Sequence, residues 1–149
     1  MAALRAGAGK LKIVTVQSAA TGMGLMVPEA MVVGLPEAAD GGVNAKRASD
    51  DLLQMAGGCG AVLIGPGMSG DEPTTSLTVR LRGAEGSSSF VLDAAAVCGL
   101  AARAEEVKAS GKRAVITPHA GEMAQLLDRS RDEVEVDPLN AARAAADLL

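Results

Sequence analysis

The only histidine of the chain, His119, lies in the run Thr117-Pro118-His119-Ala120-Gly121-Glu122, three residues ahead of a carboxylate. The apolar run Ala114–Thr117 precedes it as a strand. Met123, Leu126 and Leu127 follow at the i, i+3, i+4 spacing of a one-sided helix. The pair therefore falls at a helix entrance, where unpaired backbone N–H groups and a partial positive charge favour phosphate and disfavour a protonated imidazole. A second stretch able to do chemistry is Gly65-Pro66-Gly67-Met68-Ser69-Gly70, which follows another apolar run. Its glycines allow the backbone to approach a ligand at the carboxyl edge of a sheet, where open α/β sheets bind. Plain alternatives stand beside each reading. His119 can be a capping or surface histidine, Glu122 a first-turn acid that suits any helix, and Gly67 part of an ordinary tight turn.

The elements that would position these residues are short apolar runs at Leu11–Val16, Met31–Gly34, Ala61–Gly65, Phe90–Asp93 and Ala114–Thr117, continuous rather than alternating. Such runs read as strands covered on both faces. A helix is expected over Ala94–Ser110, with Asp93 as N-cap and Gly111 as the left-handed stop. Strands separated by helices imply a parallel sheet in an α/β fold. The segment Thr21–Asn44, rich in Gly and Pro, reads as loop around a short strand. Ala2–Gly9 reads as the tail of a helix with its glycine stop, and Leu139–Leu149 as an alanine-rich helix opened by Asp137-Pro138. Neither end reads as a domain boundary, so residues 1–149 are expected to be the central part of one larger domain.

Composition narrows the function classes. A length of 149 residues suits one ordinary core. Aromatics make up 1% of the chain, so that core must be built from Ala, Val, Leu, Ile and Met around Phe90. A net charge of −4 without a basic cluster argues against nucleic acid as a partner. The longest uncharged run, Leu52–Gly70, is interrupted by six glycines and Pro66, which argues against a membrane span; a cytoplasmic protein is expected. Cys59 and Cys98 lack a metal-site spacing and read as buried thiols. The glycine loop also fits G-x-G-x-x-G, with Asp93 close to where a ribose-binding acid would stand. Pro66 removes one amide from that cradle, and Asp71-Glu72 brings negative charge to it. Gly7-Ala8-Gly9-Lys10 superficially matches a P-loop, but Leu stands at both position 4, where glycine is needed, and position 11, where Ser or Thr is needed.

Taken together, Ala3–Gly9, Gly65-Pro66-Gly67, Val91-Leu92-Asp93-Ala94 and Thr117-Pro118-His119-Ala120-Gly121-Glu122-Met123 resemble the ADP-dependent NAD(P)H-hydrate dehydratases. The resemblance implies a three-layer ribokinase-like fold, truncated here at both ends, with a mostly parallel sheet between helices. It also implies dehydration of the S-form hydrate of NADH or NADPH, with ADP converted to AMP and phosphate and with Mg²⁺ assisting. Gly67 and His119 match the family's hydrate-binding positions. Glu122 matches an acidic position used near magnesium and phosphate, and Asp93 is a second acid near the metal or else a plain N-cap. Ala95 and Ala120 depart from the usual Asp and Pro. No catalytic residue is assigned, because the family's Gly-Ser-Gly-Asp segment has no match at its place here. The chain alone is therefore expected to be inactive, and a homo-oligomer is implied for the complete protein. Two alternatives remain: a small-molecule kinase of the same superfamily, hydroxymethylpyrimidine or hydroxyethylthiazole kinase-like, and a non-catalytic Rossmann-type dinucleotide binder.

Overall fold

The computed structural model describes residues 2–84, 86–111 and 113–149. The chain divides into two compact units, Met1–Ala48 and Ser49–Leu149.

In the first unit, α1 (Ala2–Arg5) ends at Gly7, whose φ of +102° supplies the expected left-handed stop. Strands β1 (Lys12–Val16) and β2 (Met31–Leu35) pair in parallel, Lys12 opposite Met31 through Val16 opposite Leu35. Between them the structure corrects the loop expected over Thr21–Asn44, because α2 occupies Gln17–Met26. Two glycines and no side-chain cap hide this helix from a local reading. Its missing acceptor comes from far along the chain, since the Ser18 N–H donates to Glu37 Oε1 at 2.6 Å. Gly34 lets the helix start sit tightly on β2: a Cβ there would fall 2.5 Å from Gln17 Oε1.

α3 (Ala45–Gly57) leads to the second unit, which holds β3 (Ala61–Ile64), α4 (Glu72–Gly83), β4 (Ser89–Leu92), α5 (Ala104–Ala109), β5 (Ala114–Ile116), α6 (Ala120–Leu127), α7 (Arg131–Val136) and α8 (Pro138–Leu148). Strands β3, β4 and β5 form a three-stranded sheet in that order, both pairings parallel. The parallel α/β class is thus as expected, although the described strands form two sheets rather than one. The strand positions agree with the sequence reading to within a residue at each end.

The continuous helix expected over Ala94–Ser110 is not formed. Instead there are 3₁₀ turns at Ala94–Ala96 and Leu100–Arg103, and then α5. Two local features break it. Ala94 is left-handed at φ +46°, and Gly99 at φ +80°. Thr75 on α4 accounts for the second break, because its hydroxyl takes the Cys98 carbonyl at 3.0 Å and a Cβ on Gly99 would lie 2.6 Å from it. The stop at Gly111 is formed as expected, with φ +85°.

The core of this unit is aliphatic around one ring. Phe90, Leu92, Val97, Leu100 and Val107 are buried, with Leu77 and Leu81 from α4 and Met123 and Leu126 from α6. Strands covered on both faces are not what the sheet shows. Ile64, Phe90 and Leu92 are buried, while on the opposite face Leu63 and Val115 are 63% and 61% exposed. Val91 between them is half-buried, so that face is only partly covered, whatever its apolar composition. Cys59 and Cys98 are unpaired and half-buried rather than buried.

Candidate functional site

Parallel pairing places three strand ends at one edge. Ile64, Leu92 and Ile116 are register partners across β3, β4 and β5, so the next residues, Gly65, Asp93 and Thr117, stand side by side at the carboxyl rim. The ladder runs one step further: the Asp93 N–H donates to the Ile64 carbonyl and the Thr117 N–H to the Leu92 carbonyl, both at 3.0 Å. Gly65 has φ +124°, and a Cβ on it would fall 1.7 Å from the Asp93 carbonyl oxygen. No side chain fits there.

From Gly65 the chain turns sharply, and the Met68 N–H closes onto the Gly65 carbonyl at 3.0 Å. Pro66 stands at the second position of this turn and Gly67 at the third, with φ +77°, the positive angle a type II turn needs. Gly67 differs from Gly65 in its surroundings, since a Cβ on it would meet nothing within 4 Å. Its backbone faces open space at the rim.

Asp93 does not cap the turn that follows; it makes no side-chain cap hydrogen bond. Its carboxylate instead accepts from the Thr117 hydroxyl, 2.9 Å away on the neighbouring strand end. Thr117 was not singled out by the sequence, because the pairing of a strand-end Asp with a Thr 24 residues on depends on strand order.

His119 is the N-cap of α6. Its Nδ1 accepts from the N–H groups of Gly121 at 3.0 Å and Glu122 at 3.3 Å, and Glu122 Oε2 accepts from the His119 N–H at 3.0 Å. The box is the familiar Ser/Thr–Glu arrangement with an imidazole in the serine's place. Nδ1 must be unprotonated to accept, so the neutral ring carries its proton on Nε2. That nitrogen lies 3.2 Å from Glu122 Oε1, with the His119 side chain 73% exposed and that of Glu122 16% exposed. Capping and a ligand-facing role are compatible, because the cap uses only one nitrogen.

The structure thus gathers Gly67, Asp93 and His119 along one edge, with Glu122 behind His119. It does not assemble a metal cage: among the described residues no group of three or more His, Cys, Asp and Glu side chains stands together. Magnesium commonly takes only one or two carboxylates beside phosphate oxygens. Asp93 fits that use better than Glu122, whose oxygens face the backbone N–H and the ring of His119. The dinucleotide alternative loses its helix entrance. Asp71 caps α4 through Oδ1, 3.0 Å from the Thr74 N–H, and Pro73 removes another donor. An apolar hollow of about 480 Å³ adjoins the rim, walled by Ile116, Pro118, Met123, Val134 and Pro138. It shares Thr117 with the rim but touches neither Gly67 nor His119, and no local sequence signal marks it because α6, α7 and α8 build it jointly.

The parallel α/β frame, with a glycine turn, a strand-end carboxylate and a capping histidine on one carboxyl rim, is of ribokinase-like type. A ribokinase-like superfamily protein from Enterococcus faecalis shares the fold, with a TM-score of 0.72 at 20% identity, over 99% of this chain and 47% of that one. The family model for NAD(P)H-hydrate dehydratase matches residues 1–149, and the chain belongs to that family. It is 42% identical over 147 residues to the ADP-dependent (S)-NAD(P)H-hydrate dehydratase of Xanthomonas campestris, covering 97% of this chain and 47% of the relative. It is 31% identical to the bifunctional NAD(P)H-hydrate repair enzyme Nnr of Thermofilum pendens, covering 98% of this chain and 28% of that protein. The chain spans about half the length of the first of these relatives and less of the second.

Proposed function

We propose that this chain contributes the hydrate-binding rim of an ADP-dependent dehydratase that repairs the S-form hydrate of NADH or NADPH. The observation that carries the reading is the convergence of Gly67 and His119 on the loops leaving β3 and β5, either side of the Asp93 strand end. Gly67 offers backbone against open space, and His119 offers an exposed imidazole. In the reaction the hydroxyl oxygen of the hydrated ring attacks the terminal phosphorus of ADP and AMP leaves. The C–O bond then breaks, phosphate departs, and loss of a ring proton restores the dihydropyridine. The rim residues bind and orient; none is assigned as the base for the attacking hydroxyl. Magnesium would travel with the nucleotide phosphates, Asp93 being the carboxylate best able to reach it. A cytoplasmic homo-oligomer is the setting the resemblance implies; in the structure, no helix of the described residues is long and apolar enough to cross a membrane.

The test is to supply the full gene product with NADH hydrate and ADP and to follow recovery of dihydronicotinamide absorbance together with AMP. Equimolar recovery and AMP formation is the expected result. Phosphorylation of hydroxymethylpyrimidine or hydroxyethylthiazole without hydrate turnover would assign the chain to a kinase instead.

A further inference from the structure

We propose that Arg82 and Arg113, at the amino edge of the β3–β5 sheet, hold a small phosphate-type oxyanion in a site separate from the carboxyl rim. Arg82 stands in the last turn of α4, and Arg113 immediately precedes β5. Their hydrogen-bond partners Gly86, Ser88 and Gly111 all lie just ahead of β4 or β5. The pair is therefore at the strand starts, whereas Gly65, Asp93 and Thr117 follow the strand ends.

Arg82 is only 5% exposed. Its Nη2 donates to the Gly111 carbonyl at 3.0 Å, but its Nη1 is sealed from solvent and has no acceptor. Arginine is almost never buried to this degree unless it is paired, and an unused donor on a buried charged group is costly. Arg113, half-buried, donates through Nη1 to the carbonyls of Gly86 and Ser88, the latter at 3.3 Å. Neither guanidinium has an ion pair among the described residues. The two are near enough to repel: burial pushes the Arg82 guanidinium below its ordinary range, and the charge of Arg113 adds to that.

The missing partner is an anion rather than a water. A water would accept from Nη1 but leave both charges unopposed. A phosphate dianion matches two guanidiniums and has oxygens enough to reach both, in the charge-assisted geometry that arginine favours. Gly83 and Gly86 beside the pair are exposed, so the site lies just under the surface and a small outward shift admits the ion.

Inorganic phosphate is the probe, and thermal unfolding of the full gene product is the readout. At about ten times its Kd, phosphate should raise Tm by about 2–4 °C over chloride at equal ionic strength. Arg82→Met keeps the bulk without the charge; it should lose that rise and, in phosphate-free buffer, melt within about 2 °C of the parent. Arg113→Gln, at a half-buried position, should lose most of the rise and remain folded. A rise retained in both variants would put the phosphate elsewhere, the carboxyl rim included, and overturn the proposal. A parent whose Tm ignores phosphate would also overturn it. If Glu85→Gln then melts lower than that parent, the chain's own carboxylate, three residues past Arg82 in sequence, holds the place instead.

Discussion

Gly65 and Gly67 are two residues apart and serve different needs. Gly65 has no space: its missing Cβ would overlap the Asp93 carbonyl oxygen at 1.7 Å. Gly67 has space but a left-handed backbone, φ +77°. Gly65→Ala should therefore cost about 3 kcal/mol or more and abolish the folded rim, while Gly67→Ala should cost only the left-handed penalty of about 1–2 kcal/mol. Urea titration of the two variants checks the order, and equal losses would mean that the Gly65 contact relaxes freely. A third position runs the other way. Ala94 holds φ +46° without being glycine. Ala94→Gly should relieve about 1–2 kcal/mol of strain against about 0.5–1 kcal/mol of added chain entropy, a small net gain visible as a higher urea midpoint. Sequence made the glycine run and the Thr-Pro-His block legible, including the helix entrance at His119. It could not tell which glycine was crowded and which was open, because the Asp93 carbonyl that decides this arrives 28 residues later. For the same reason Thr117 was read as a strand end and not as the partner of Asp93.

Elements whose ends are written locally were readable, and those set by distant partners were not. Asp137-Pro138 opens α8 as expected, with Asp137 Oδ1 accepting from the Asn140 N–H at 3.0 Å. Asp137→Ala should lower stability by about 1 kcal/mol, measured by thermal unfolding. α2 was missed because its acceptor is Glu37, and the helix over Ala94–Ser110 was overextended because Thr75 interrupts it at Cys98 and Gly99. These caps also set a pH dependence. Hydrogen bonds from the Ser130 hydroxyl and N–H hold Glu133 below its ordinary 4.5, and those from Ser18 do the same for Glu37. A carboxylate whose folded pKa is depressed contributes stability above its unfolded pKa and loses it as pH falls through the lower folded value. Stability should thus be level from neutral pH down to the carboxylate range and decline below about 4.5. Both groups are exposed, so the effect is modest. Glu133→Gln should flatten part of the decline in the urea midpoint between pH 5 and about 3. A variant whose midpoint falls in parallel with the parent would rule out the Ser130–Glu133 box as a contributor.

At the scale of the molecule, the partly exposed face of the β3–β5 sheet is the feature with most consequence. Leu63, Val91 and Val115 are register partners across the three strands, and Leu63 and Val115 are more than half exposed. Continuous apolar strands were read from sequence as covered on both faces, and the composition of this row still suits a cover. Burying two or three such side chains per copy is worth about 1.5–3 kcal/mol each, against at least about 4 kcal/mol of lost freedom on association. Self-association of the 149-residue chain should therefore be weak, concentration-dependent and without a fixed size. The double variant Leu63→Lys with Val115→Lys should abolish it in sedimentation velocity and change folding stability by no more than about 0.5 kcal/mol each. The full gene product offers the opposite sign. The first relative is about twice this length, and if further elements cover the sheet there, as the apolar row suits, the same charges become buried and unpaired. Leu63→Lys should then destabilise it by about 3 kcal/mol or more. If the single variant leaves the full product as stable as the parent, the face is exposed there too, and its apolar row needs another explanation.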